Sequence, residues 1–145
     1  MENRVEKAVE LFKSGYNCAQ AVFTAYADFY GIDKDLALKL SSSFGLGMGG
    51  MYEVCGTICG MTMIVGLEIG VTIANDSNKR EVNYKMVQKL VDDFRKKNGS
   101  IACKQLIVPE QEIVPGKKKK PCVEYVRYCA ELIEKNIVNR GDQDG

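Results

Sequence analysis

Four glycines, Gly45, Gly47, Gly49 and Gly50, stand just before one of the two longest uncharged runs of the chain, Val54–Leu67. Glycine at that density is expected where the backbone takes φ > 0 or approaches something closely. Ile58, Met61, Met63, Ile64, Val65 and Leu67 then supply an apolar surface on every side. A helix built from them must be buried, and the rest of the chain has to wrap it. The pattern therefore predicts a glycine loop feeding a buried central helix over about 52–72, with Cys55 near its first turn. The run is short of the ~20 residues that span a bilayer, so a core helix is expected rather than a membrane span.

The remaining periodicity is also helical. Val5, Ala8, Val9 and Phe12 predict a helix over 2–13, closed by Gly15. Asn17 is placed to cap a second helix over 18–30, with Cys18, Val22, Ala25 and Phe29 on one stripe. Asp33 caps a third over 34–44, with Ala37, Leu40 and Phe44 inward. A cap at Ser77 or Asn78, with Glu81 close behind, opens a long helix over 79–98 that turns Val82, Met86, Leu90 and Phe94 inward. Cys103 opens a short piece over 101–107. All three prolines follow, Pro109, Pro115 and Pro121, in a segment long enough to be either a binding loop or a plain connection. Pro121 suits the first position of a last helix over 121–137, on which Cys122, Val126, Cys129 and Ile133 share a stripe. No alternating strand pattern of useful length occurs. The expectation is an all-α, compact bundle of six to seven helices: a single domain over 1–138 and a loose polar tail over 139–145.

At 145 residues and a formal charge of +1 the chain can bury a real core but has no basic face for a nucleic acid. The run Lys117–Lys120 reads as a solvated part of the proline segment. There is no histidine, which removes Ser-His and Cys-His catalytic pairs and His-ligated metal sites. The polar start Met1-Glu2-Asn3-Arg4 shows no signal peptide, so a cytoplasmic protein is expected. In that setting six cysteines read as redox or metal chemistry before they read as a disulfide framework.

Cys18, Cys55, Cys103 and Cys122 share one kind of position, at or near a helix start. There the unpaired N–H groups and the dipole favour the thiolate, the form that attacks and binds metal. Cys59 and Cys129 lie inside helices and read first as small buried hydrophobes. Cys55 and Cys59 are i, i+4 neighbours, better suited to a shared metal or a relay than to a disulfide within a helix. The stretch Gly45-x-Gly47-x-x-Gly50 also matches the dinucleotide pattern G-x-G-x-x-G. That pattern needs a strand in front, and Leu40-Ser41-Ser42-Ser43-Phe44 reads as helix.

Gly15-Tyr16-Asn17-Cys18-Ala19-Gln20-Ala21-Val22, then Cys55-Gly56-Thr57-Ile58-Cys59-Gly60, Cys103 and Cys122, run along nearly the whole chain. In these pieces the chain resembles the redox-active proteins of the C_GCAxxG_C_C family, whose pattern is C…CGAxxG…C…C. The resemblance implies that the family's four defining cysteines are Cys18, Cys55, Cys103 and Cys122. Thr57 departs from it, standing where the pattern has alanine, and Cys59 is an added thiol.

The leading expectation is thiol–disulfide or electron-transfer chemistry at Cys18, Cys55, Cys103 and Cys122, with Cys55 attacking because the glycine loop leaves its approach open. These four are expected to share one pocket, with Cys59 at its inner wall and Gly45, Gly47, Gly49 and Gly50 shaping the loop. The first alternative is a metal module, zinc or iron–sulfur, held by thiolates from Cys18, Cys55, Cys59, Cys103 and Cys122. The second is a helical adaptor whose cysteines are core. The expected partner is a redox protein or a small molecule, with homo-oligomerisation open and neither nucleic acid nor a membrane span.

Overall fold

The computed structural model of the chain describes residues 3–107 and 122–139. It is all-α, with α1 (Val5–Lys13), α2 (Cys18–Ala27), α3 (Lys34–Ser42), α4 (Gly56–Ile69), α5 (Ser77–Asn98), α6 (Cys103–Leu106) and α7 (Cys122–Ile133). A 3₁₀ turn, Asp28–Tyr30, follows α2, and a π-helical turn, Glu134–Val138, continues α7. Among the described residues there is no strand, only an isolated antiparallel bridge between Val54 and Ala102. No described helix is long and apolar enough to cross a membrane. The expectations for Pro109, Pro115, Pro121, Lys117–Lys120 and the tail beyond Asn139 lie outside the described residues.

The centre of the bundle is the pair α2 and α4, which make the largest helix–helix contact. From α4, Ile58, Met61, Ile64 and Val65 are buried; from α2, Ala19, Ala21, Val22, Phe23, Ala25 and Tyr26 are. Small residues dominate α2, so neighbours approach it from several sides. Helices α1, α3 and α7 all pack on it, while α5 covers α4. Glycines allow the central contact. A Cβ at Gly60 would lie 2.8 Å from the Ala19 carbonyl oxygen and 3.1 Å from Val22 Cβ. Together with Gly56, one turn earlier, Gly60 gives α4 a flat face for the start of α2.

A buried polar knot ties α1, α2 and α7 at the other end of α7. The Tyr26 hydroxyl donates to the Glu134 carboxylate at 2.8 Å, and the Arg4 backbone N–H donates to the same oxygen at 2.9 Å. The Arg4 guanidinium lies over the Phe29 ring, 4.2 Å from its centroid, and pairs with Asp28 at 2.7 Å.

Three helical expectations are corrected. The central helix is Gly56–Ile69 rather than 52–72, because Tyr52 has φ 59° and Val54 is committed to its bridge with Ala102. Val82 does not face inward; it is 54% exposed. The Asn83 side chain donates to the carbonyl of Ile69, the last residue of α4, so the turns of α5 before it run past the end of α4. Leu40 is 47% exposed. Helix α3 packs mainly on α2 and buries only a narrow face, Ala37 and Ser41.

Candidate redox site

Each of the four cysteines is placed by local chemistry that can be followed in the chain. Cys18 is the first residue of α2, held by a reciprocal capping box. The Asn17 side-chain oxygen accepts from the Gln20 N–H at 2.9 Å, and the Gln20 side-chain oxygen accepts from the Asn17 N–H at 3.0 Å. The amide nitrogens of both side chains then donate to carbonyls of α3, Asn17 to Ser42 at 2.9 Å and Gln20 to Leu38 at 3.1 Å. The start of α2 is thereby fixed against the end of α3, where the glycine loop begins.

The loop itself is a tight coil. Leu46, Gly47, Met48, Gly49, Gly50 and Tyr52 all have positive φ, from 50° to 77°. Three of these six are not glycine, and each such residue costs about 1–2 kcal/mol. The coil is closed by its own backbone bonds, Gly49 N–H to Ser43 oxygen at 2.7 Å, Tyr52 N–H to Leu46 oxygen at 3.0 Å and Glu53 N–H to Gly47 oxygen at 2.9 Å. Gly47 has a second reason to be glycine, since a Cβ there would lie 2.7 Å from Cys103 Cβ.

After the coil the backbone runs antiparallel to residues 101–104. Cys55 N–H donates to the Ile101 oxygen at 2.8 Å, Lys104 N–H to the Tyr52 oxygen at 3.2 Å, and Cys103 N–H to the Glu53 oxygen. This short pairing puts Cys55, the N-cap of α4, beside Cys103, the first residue of α6. Helix α7 is docked on α6 by the Tyr125 hydroxyl, which donates to the Leu106 oxygen at 2.9 Å. Cys122 opens α7 one turn before it.

The result is one cavity of about 20 Å³ whose wall carries Cys18, Cys55, Cys103 and Cys122, with Leu46 and Tyr125 beside them. The four share a single space, as expected. That volume accommodates roughly one water-sized group. It leaves no room inside for a metabolite. No disulfide joins any of the six cysteines. Among the described residues no three Cys, Asp or Glu side chains are grouped closely enough to hold a metal ion.

Three site expectations change. Cys55 is not openly approachable: it is 5% exposed, and Cys103 is 6%. Cys18 and Cys122 are the partly exposed members, so the cavity has two outer and two inner thiols. Cys59 does not line the cavity; it is partly exposed, one turn further along α4. A helix start does not by itself make a thiolate. Burial pushes the Cys18 thiol up to about 11, the nearby Cys55 adds to this, and backbone N–H groups of Leu46 and Ala19 only partly oppose it. Burial, then Cys55 and Cys18, also pushes Cys59 up to about 11. Cys129, fully buried in the core, is driven up further by desolvation.

The residue that sequence reasoning left without a role is Thr57. It has no exposed surface, it lines the cavity, and its hydroxyl oxygen is 2.9 Å from Cys55 Sγ. Its departure from the alanine of the pattern marked a hydroxyl close to the site but not what it touches. The stripe containing Cys129 marked a buried thiol and, likewise, no partner for it.

The model of the family described as "putative redox-active protein (C_GCAxxG_C_C)" matches residues 16–136, so the chain belongs to that family. No curated protein and no solved structure matches it.

Proposed function

We propose that this member of the C_GCAxxG_C_C family is a cytoplasmic thiol–disulfide protein in which Cys18, Cys55, Cys103 and Cys122 form one redox centre. The observation that carries the reading is the shared cavity: four cysteines from four helix starts around about 20 Å³. In the oxidative direction, a thiolate of an outer cysteine attacks a disulfide of the partner. It forms a mixed disulfide and releases one partner thiolate. A second cysteine thiolate of the centre then attacks the mixed disulfide. The centre keeps an S–S bond, and the partner leaves with both its sulfurs reduced and two protons made up from the spent thiols. Cys18 and Cys122, the partly exposed members, are the ones a partner can reach for the first attack. Cys55 and Cys103, shielded behind, resolve it. A compartment that keeps thiols reduced suits such a cycle.

The test is to oxidise the reduced protein with oxidised glutathione, count thiols, and map disulfides by peptide mass spectrometry, with metal content measured on the same sample. The expected result is reversible loss of thiols confined to Cys18, Cys55, Cys103 and Cys122, with Cys129 always recovered as thiol. Six unreactive thiols would support the adaptor instead. Stoichiometric metal with the same four cysteines protected would support the metal module.

A further inference from the structure

Cys18 and Cys55 stand on two helix starts that are packed backbone to backbone. The sulfur of Cys18 rests against Gly56, the residue after Cys55; a Cβ there would lie 2.6 Å from it. The same Cβ would lie 3.4 Å from the Ala19 nitrogen, and one at Gly60 would lie 2.8 Å from the Ala19 oxygen. Glycine on the α4 side therefore lets the first turn of α2 lie directly on the first turn of α4. Asn17 holds the same end against the coil, where a Cβ at Gly45 would lie 2.4 Å from its Nδ2. Among the other thiols, Cys55 acts most strongly on Cys18, ahead of Cys103.

Cys103 is the other thiol beside Cys55, and the backbone sets it off by register. Val54 opposes Ala102, and the flanking bonds run from Cys55 to Ile101 and from Cys103 to Glu53. Cys55 is thus opposite Ile101, and Cys103 is opposite Glu53, which makes the two cysteines diagonal neighbours. Diagonal neighbours in an antiparallel pair lie roughly 7–8 Å apart. A disulfide spans about 4.4–6.8 Å between Cα atoms. Cys103 has a better-placed partner in Cys122. The Tyr125 hydroxyl bonds the Leu106 oxygen and docks α7 on α6. Cys122 and Cys103 each open their helix one turn before an end of that bond.

We propose that the redox centre consists of two disulfide pairs, each of one outer and one inner thiol: Cys18 with Cys55, and Cys122 with Cys103. The proposal rests on the thiol–disulfide reading above and adds which sulfurs bond. In the first pair, the Cys18 thiolate attacks a disulfide of the partner, bonds one of its sulfurs and releases the other as thiolate. Cys55 then attacks the Cys18 sulfur, the mixed disulfide breaks, and the second partner sulfur leaves as thiolate. Cys18 and Cys55 together lose two electrons and two protons, and the partner takes them up as two thiols. Cys122 and Cys103 do the same with a second partner disulfide. The centre therefore stores four electrons rather than two.

The experiment oxidises the reduced protein with oxidised glutathione in a glutathione redox buffer and maps disulfides by tandem mass spectrometry, which separates Cys55 from Cys59. The Cys18–Cys55 link should exceed the Cys55–Cys103 link by about tenfold or more, because a disulfide held beyond its span is strained and more readily reduced. Two double variants, each keeping one outer and one inner thiol, give a second readout. Cys103→Ser with Cys122→Ser should still close an internal disulfide. Cys18→Ser with Cys103→Ser should stop at a mixed disulfide between Cys122 and glutathione. If either variant fails to fold, the map of the parent protein decides alone. A dominant Cys55–Cys103 or Cys55–Cys122 link, or a folded Cys103→Ser, Cys122→Ser protein that closes no disulfide, overturns the pairing and leaves the proposed function standing. Absence of any internal disulfide in the parent protein overturns both.

Discussion

The sulfur of Cys18 lies so close to Gly56 that a Cβ there would stand 2.6 Å from it. The residue after one inner cysteine is therefore the seat of an outer one. The same hypothetical Cβ would lie 2.9 Å from the Phe44 carbonyl oxygen, so backbone as well as side chain would have to move. Gly56→Ala is expected to cost about 1–3 kcal/mol, as overpacking of a tight core does. It should also alter the alkylation rate of Cys18 more than that of Cys59. Denaturant midpoints together with peptide-resolved alkylation check both parts; a variant as stable as the parent would show that α2 is free to shift.

Gly47 and Gly49 separate two reasons for being glycine. Both have positive φ, 66° and 58°, but only Gly47 faces the Cys103 Cβ and the Glu53 backbone. Gly49 has nothing closer than the Ser43 oxygen at 3.7 Å. Gly49→Ala should cost about 1 kcal/mol from backbone conformation alone. Gly47→Ala should cost that plus an overpacking penalty of about 1–3 kcal/mol and displace Cys103. Equal midpoints for the two variants would show that the approach of Cys103 is not constrained by the coil.

Alkaline pH should weaken the fold through the thiols. The Cys18 thiol is raised from 9.0 to about 11 by burial and by Cys55, and Cys59 moves in the same direction to about 11. A thiol whose folded pKa lies above its unfolded one gives stability that is complete below the unfolded value and is lost as pH rises through the folded one. Urea midpoints should stay level up to about pH 8.5 and fall between about 9 and 11. Replacing Cys18 with Ser should flatten part of that fall; a slope unchanged by the substitution would place the alkaline loss elsewhere, for instance at Tyr26 or Tyr30, whose hydroxyls are also raised.

The polar knot at Glu134 should be separable from the redox chemistry. Removing the Tyr26 hydroxyl, which reaches Glu134 at 2.8 Å, leaves a carboxylate that is only 7% exposed with one donor fewer. Tyr26→Phe is expected to destabilise by about 1.5–3 kcal/mol, the range for hydrogen bonds to charged groups. Thermal unfolding measures it. Thiol alkylation profiles should not change, because Cys122 and Glu134 are twelve residues apart along α7 and its π-helical turn, about 18 Å at 1.5 Å per residue. A parallel change in Cys55 or Cys122 reactivity would mean that the two ends of α7 are coupled.

The sequence by itself determined that the protein is helical, that α4 is its buried centre, and that four cysteines sit at helix starts. Those features are local. The period of Val5, Ala8 and Val9, the cap at Asn17 and the stop at Gly99 act within a few residues and survive any arrangement of the bundle. Exposure at Val82 and Leu40 was not legible, because a stripe shows which face is apolar and not how far the neighbouring helix extends to cover it. Tertiary structure alone decided which thiols are outer and which are inner. That depends on the backbone pairing of Cys55 with Ile101 and of Cys103 with Glu53, and on how closely Gly47 and Gly56 let Cys103 and Cys18 approach. It also decided the balance at Cys18 between helix-start N–H groups and burial, since burial depends on what covers the sulfur. The burial of Cys129 belongs to the same class, since only the packing of α7 against α2 and α4 closes the core around its thiol.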